Sequence, residues 1–217
     1  MRTLLLVHSP VLSPACWGPL AERAEQDGWR VAAPDLRPLL NDPSFHDSVV
    51  AAAKRTEPDL VVAHSGAGAY LPGIASAVGC DVVFLDAVLP HPGRSWIDSL
   101  PADFADALRG MARDGRLPPW DTWFPREAVD ELLPDARQRE QVLRDLPELP
   151  WPVATEVKPR PGPGWDEAGK TYVRLSDAYA EEAARAEADR YAVRSLAADH
   201  LAMVTRPAEV WDVVIGR

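Results

Sequence analysis

The ten residues Leu60-Val61-Val62-Ala63-His64-Ser65-Gly66-Ala67-Gly68-Ala69 constrain the fold of this 217-residue chain more than any other stretch. A short apolar run, Leu60 to Ala63, leads to a serine, and residues with little or no side chain crowd both sides of it. An apolar run of this length suits a strand buried on both faces of a sheet. The small residues that follow imply a sharp turn with no room for bulk. The pattern predicts a buried strand turning into a helix, with Ser65 on a strained tip, its hydroxyl exposed and the helix N-terminus behind it. The usual spacing is G-x-S-x-G, and here Ala63 and Ala67, the least costly replacements, stand at the glycine positions. Gly68 keeps the first helical turn slim against the strand. A serine after a strand can also be a plain helix cap; the collar of small residues favours a nucleophile.

The rest of the chain alternates in the same way. Strands are predicted at Thr3 to Val7, Arg30 to Ala33, Leu60 to Ala63 and Asp81 to Leu85, with helices at Trp17 to Asp27, His46 to Arg55 and Gly66 to Val78. Two further strands are read at Thr171 to Leu175 and Tyr191 to Ala197. Short apolar strands separated by helices indicate an α/β fold with a mostly parallel central sheet covered on both faces. Ligands of such sheets bind at the carboxyl ends of the strands. Ser9, Ser65, Asp86, Asp177 and His200 all fall at or just after those ends.

A nucleophilic serine needs a base and a group that orients the base. His200 is the only histidine in the last hundred residues and follows a strand, which makes it the candidate base. Asp177 ends the strand before it and is the expected acid, although an aspartate there also serves as a helix N-cap. Asp86, at the end of Val82-Val83-Phe84-Leu85, is the rival. Asp199 is disfavoured because side chains adjacent in sequence point apart. The order Ser65, Asp177, His200 differs from the orders of chymotrypsin-like and subtilisin-like enzymes.

Between residues 90 and 165 the pattern changes. This stretch holds 13 of the 22 prolines and the tryptophans Trp96, Trp120, Trp123, Trp151 and Trp165. Helices are predicted near Ala102 to Arg113, Arg126 to Leu133 and Asp135 to Leu146, each preceded or opened by a proline. The expectation is one domain, residues 1–217, carrying a helical cap over the site at 90–165. Trp96, Trp120, Trp123 and Trp151 are candidate walls of an apolar pocket; for any single one, packing between cap and core is the plainer role.

Composition excludes several classes. With 33 acidic and 23 basic residues the net charge is -10, which disfavours a nucleic-acid partner. Cys16 and Cys80 lack any metal-ligand spacing, so no metal or disulfide framework is expected. Two isolated cysteines suit a reducing compartment, hence a cytoplasmic location. The run Leu4 to Val7 is too short for a signal or a membrane span, so no membrane association is expected. Arginine and alanine in excess, with lysine only at Lys54, Lys158 and Lys170, suggest a GC-rich bacterial genome.

Leu6-Val7-His8-Ser9, Val62-Ala63-His64-Ser65-Gly66, Phe84-Leu85-Asp86-Ala87-Val88-Leu89-Pro90, Tyr172 through Asp177 and Asp199-His200-Leu201-Ala202-Met203 together resemble the α/β-hydrolase superfamily. Their spacing is similar to the compact plant-type esterase and hydroxynitrile lyase group. The resemblance implies a Ser65-His200-Asp177 triad, an oxyanion hole using the Gly66 N–H, and no cofactor. It departs at His8-Ser9-Pro10. The second oxyanion donor is normally a backbone N–H in this turn, and Pro10 has none. The Ser9 hydroxyl, the Val11 N–H or a shifted turn must complete the hole, so Gly66, Ser9, Pro10 and Asp86 form the candidate oxyanion and substrate group.

The reading that follows is a serine hydrolase acting on a carboxylic ester, thioester or lactone of a hydrophobic small molecule. The alternatives are a lyase or cyclase using His200 as base, which Pro10 favours, and a ligand-binding protein without turnover. A dinucleotide site at Gly66-Ala67-Gly68 fails because Leu71 stands at the third glycine position.

Overall fold

The computed structural model describes all residues 1–217. Strands β1 (Thr3–Val7), β2 (Arg30–Ala32), β3 (Leu60–Ser65) and β4 (Asp81–Ala87) are followed by a short β5 (Arg116–Leu117) and β6 (Leu149–Pro150), then β7 (Lys170–Arg174) and β8 (Ala192–Ser195). Six of them form one sheet in the order β2-β1-β3-β4-β7-β8, every pair parallel.

Alternation along each strand divides the core into two layers. Leu5, Val7, Val61, Ala63, Val82, Phe84 and Tyr172 face helices α2 (Phe45–Lys54) and α3 (Leu71–Val78). Leu4, Leu6, Val62, Val83, Leu85 and Val173 face α1 (Gly18–Gln26) and the C-terminal helix Pro207–Ile215. The central strands are therefore apolar on both sides, which is why they read as runs in the sequence. No helix is long and apolar enough to cross a membrane.

The helix expected over Gly66 to Val78 is split. Residues Gly66–Tyr70 wind as a 3-10 helix before α3 begins. Pro72 stands in the first turn of α3 and has no N–H to give to Gly68, while Leu71 donates to the Gly68 carbonyl in the tighter three-residue pattern.

Residues 90–165 hold the three expected helices as Ala102–Met111, Arg126–Leu132 and Ala136–Leu143. They also hold the short helices Trp96–Ser99 and Trp151–Thr155 and the antiparallel pair β5-β6, elements too short to announce themselves by periodicity. The two ends of this insertion meet at a neck, where Gly93 N–H donates to the Lys158 carbonyl at 2.9 Å and Lys158 N–H to the Arg94 carbonyl at 3.0 Å. Helix Gly164–Glu167 lies outside the neck and packs on α3. Trp165 accordingly joins the main core, edge-on to Phe84 at 6.3 Å.

Candidate active site

Ser65 ends β3 with φ 57° and ψ -129°, a conformation that side-chain-bearing residues rarely adopt and that only a well-packed frame can hold. The frame is tight. A Cβ on Gly68 would collide with the Val88 carbonyl oxygen and come within 3.1 Å of both the Ala87 Cβ and the Phe84 ring. The slim first turn expected from Gly68 is thus a steric requirement of β4. The β3-β4 pairing slips by one residue between His64 and Ser65, where the strand leaves the sheet.

His200 lies beyond β8, and its Nδ1 is 2.8 Å from Asp86 Oδ2. Asp86, not Asp177, is the carboxylate that reaches the histidine, which corrects the expected acid. The side chain of Asp177 is fully exposed and pairs with Arg174 at 3.0 Å, because the chain turns outward as the 3-10 turn Asp177–Tyr179 begins. Asp86 is wholly buried at the end of β4 and does not reach the cavity wall, so its place in the oxyanion and substrate group is corrected as well. Its carboxylate accepts from Leu175 N–H at 2.8 Å, Ser176 N–H at 3.0 Å and Ser176 Oγ at 2.6 Å besides the histidine. Burial alone would push this carboxyl upward; the hydrogen bond and charge of His200, with the donors of Ser176, hold it below the ordinary value. It is an anion. The His200 Nδ1 therefore carries a proton, and in the neutral imidazole Nε2 is then the acceptor.

The hydroxyls of Ser65 and Tyr179 are 3.3 Å apart, and this is the hydrogen bond Ser65 Oγ makes in the resting arrangement, not one with His200. The Tyr179 ring stacks on His200, centroids 5.0 Å apart and planes 7° from parallel. Burial pushes the Tyr179 phenol up to about 12, so it stays protonated. On another side, His64 donates from Nε2 to the His200 carbonyl at 2.8 Å, and its ring lies 4.3 Å from the His200 ring. Burial and the neighbouring His200 lower the pKa of His64 and keep it neutral.

The turn after β1 is held by His8, whose Nδ1–H donates to the Ser9 carbonyl at 2.8 Å and whose Nε2 accepts from Leu36 N–H at 3.0 Å. The second bond needs the neutral ring, and burial lowers its pKa to about 4. Ser9 Oγ and Pro10 Cδ stand 3.3 and 3.6 Å from where a Gly66 Cβ would project, so this turn faces the elbow at close range. Val11 lines the cavity, and its N–H has no protein acceptor.

The sequence matches the model of the Alpha/beta hydrolase family over residues 4–213. The chain belongs to that family. No curated protein matches it significantly. Among solved structures, it is similar to an extracellular alpha/beta-hydrolase from a Paenibacillus species at 16% identity, with 100% of this chain and 98% of that one covered and a TM-score of 0.78. It is similar to a pyrethroid hydrolase from Sphingobium faniae JZ-2 at 19% identity, with coverage of 99% and 96% and a TM-score of 0.72. A methylesterase from Arabidopsis gives 13% identity, coverage of 100% and 98%, and a TM-score of 0.72. At these identities the likeness is one of fold.

In this alpha/beta hydrolase, a cavity of about 880 Å³ opens over the strand ends and collects Ser9, Pro10, Ser65, Gly66, Tyr179 and His200. Trp96, Trp120 and Trp123 line it, with Phe104 and Phe124. Trp151 does not: it is packed half-buried against the main core, because the helix it opens turns Val153 rather than Trp151 to the cavity. Tyr179 and His64 escaped sequence reading. A tyrosine two residues after an exposed aspartate carries no motif, and His64 looks like one more residue of an elbow.

Proposed function

We propose that the protein is a serine hydrolase that cleaves a carboxylic ester, thioester or lactone of a hydrophobic small molecule through an acyl-enzyme on Ser65. The observation that carries this reading is the line from a buried, four-times hydrogen-bonded Asp86 to His200 Nδ1 beside a serine held at φ 57°. His200 Nε2 takes the proton as Ser65 Oγ attacks the carbonyl carbon, and Asp86 stabilises the imidazolium that forms. The imidazolium then protonates the leaving oxygen or sulfur, and water enters by the reverse route to free the acid. For Nε2 to serve, the Ser65 hydroxyl turns from Tyr179 toward His200 when substrate arrives; catalytic hydrogen bonds often tighten only in the complex. Family membership and the esterase and hydrolase names of the similar structures support ester hydrolysis in general. The aromatic wall supports an apolar substrate, residues 90–158 act as its cap, and two buried unpaired cysteines support a cytoplasmic setting.

Intact-mass analysis after exposure to a fluorophosphonate, with p-nitrophenyl ester turnover in parallel, tests the proposal. One label per chain on wild type and none on Ser65→Ala supports it. An unlabelled, folded wild type without turnover overturns it in favour of base-only chemistry at His200.

The oxyanion hole yields a separate prediction. Pro10 offers no N–H, so the Gly66 N–H acts with the Ser9 hydroxyl. Ser9→Ala is expected to lower kcat about 10²-fold with little change in KM, the usual effect of losing one such donor. Pro10→Ala restores an N–H and is expected to raise kcat. Steady-state kinetics on one p-nitrophenyl ester reads both, and an unchanged Ser9→Ala rate would assign the second donor to Val11.

The buried histidines set an acid limit on stability. His8 and His64 are held neutral in the folded state, whereas in the unfolded chain each takes up a proton near pH 6.5. Their contribution is complete above that pH and is lost as pH falls toward about 4, where His8 protonates in place. Tm measured from pH 7.5 down to 4 is expected to decline through this window, and less steeply in His64→Phe.

A further inference from the structure

The cavity wall contains a buried cation that the proposed chemistry does not use. Lys158 is 3% exposed, lines the cavity and lies at the neck of the insertion, its main chain tied on both sides to Gly93 and Arg94. Its Nζ is 2.9 Å from Glu156 Oε2 and 4.7 Å from the centre of the Tyr70 ring. Glu156 has work of its own: it accepts from Ser44 Oγ at 3.0 Å and from His46 N–H at 3.1 and 3.2 Å, at the start of α2. An ammonium has three N–H donors. One is spent on Glu156 and the Tyr70 face takes the charge on another side, so donor capacity remains in a wall that is otherwise mostly apolar.

We propose that Lys158 is a substrate-binding residue, which holds an uncharged acceptor oxygen, a ketone, ester carbonyl or ether, carried by the apolar substrate away from its scissile bond. This rests on the hydrolase reading given above. The occupant is a neutral acceptor because Lys158 and Glu156 already balance each other. An anion would add a charge to a cavity whose walls include Glu181, Glu182 and Asp199 against Lys158 and Arg185, and an uncompensated charge in such a place is costly. A neutral oxygen gains a charge-assisted hydrogen bond and brings no net charge. The neck fixes the Lys158 main chain, so little freedom is lost when the oxygen docks.

The test compares p-nitrophenyl octanoate with four analogues bearing a ketone at carbon 4, 5, 6 or 7. In wild type at least one keto ester is expected to exceed octanoate in kcat/KM by about tenfold or more, mainly through KM. Lys158→Met is expected to abolish that preference, the keto esters falling to the kcat/KM of octanoate measured with the same variant. Because Lys158→Met leaves Glu156 buried without its partner, the double variant Lys158→Met/Glu156→Gln, which removes both charges together, guards against a folding defect. Equal rates for all five esters in wild type, or a preference that survives in either folded variant, overturns the proposal. Failure of the hydrolase reading looks different: octanoate itself is not turned over and Ser65 is not labelled. Binding of 4-phenyl-2-butanone and n-butylbenzene, followed by tryptophan fluorescence, then decides without hydrolysis. Tighter ketone binding in wild type than in Lys158→Met supports the anchor, and equal affinity for the ketone overturns it.

Discussion

Ser65→Ala is expected to lower kcat by about 10⁶-fold and leave the fold intact. The substitution deletes the only atom that forms the acyl bond, while alanine keeps the Cβ that already tolerates the elbow backbone. The Oγ makes no hydrogen bond except that with Tyr179, so no buried donor or acceptor network collapses behind it. Initial rates on p-nitrophenyl esters, with thermal unfolding as control, read the effect. A variant that keeps more than a few per cent of wild-type turnover at unchanged Tm would remove Ser65 from the chemistry.

The second large effect concerns the carboxylate. Asp86→Asn is expected to cost about 10⁴-fold in kcat, by analogy with the loss of the orienting acid in other triads, and Asp177→Asn less than about twofold. Leu175 and Ser176 N–H both point at Oδ1, which forces an asparagine to place its oxygen there. Its NH2 group then faces His200 Nδ1. The imidazole must move its proton to Nε2 to accept, and that nitrogen can no longer take a proton from Ser65. Parallel kcat/KM against pH profiles for the two variants decide between the acids; a crippled Asp177→Asn beside a normal Asp86→Asn would reverse the assignment made from the geometry.

The sheet was legible because its strands are buried on both faces, as in the runs Leu4 to Val7 and Val82 to Leu85, and Gly68 has a direct steric cause in the Val88 carbonyl. The histidine was legible because it is isolated in the C-terminal half. The acid was not, because both aspartates end strands and sequence order cannot show which carboxylate a strand turns inward. Asp86 takes φ 44° and points beneath His200, whereas one turn of 3-10 helix carries Asp177 to the surface. The insertion was legible as a change in composition, through its prolines and tryptophans. Its short strands and the inward face of Trp151–Thr155 depend on contacts between residues far apart in the chain, and no local period records them.

Placing the acid on β4 separates two tasks that the segment after β7 would otherwise have to perform together. Only Leu175 and Ser176 are tied to the carboxylate. From Ala178 to Arg185 the chain is free of that duty, and five of its side chains, Ala178, Tyr179, Glu181, Glu182 and Arg185, border the cavity. Tyr179 is the exception, since it touches both Ser65 and His200. Drift or directed diversification at the other four positions can retune which molecules the proposed hydrolase accepts while leaving the Asp86–His200 pair in place, a ready-made locus for acquiring new substrates.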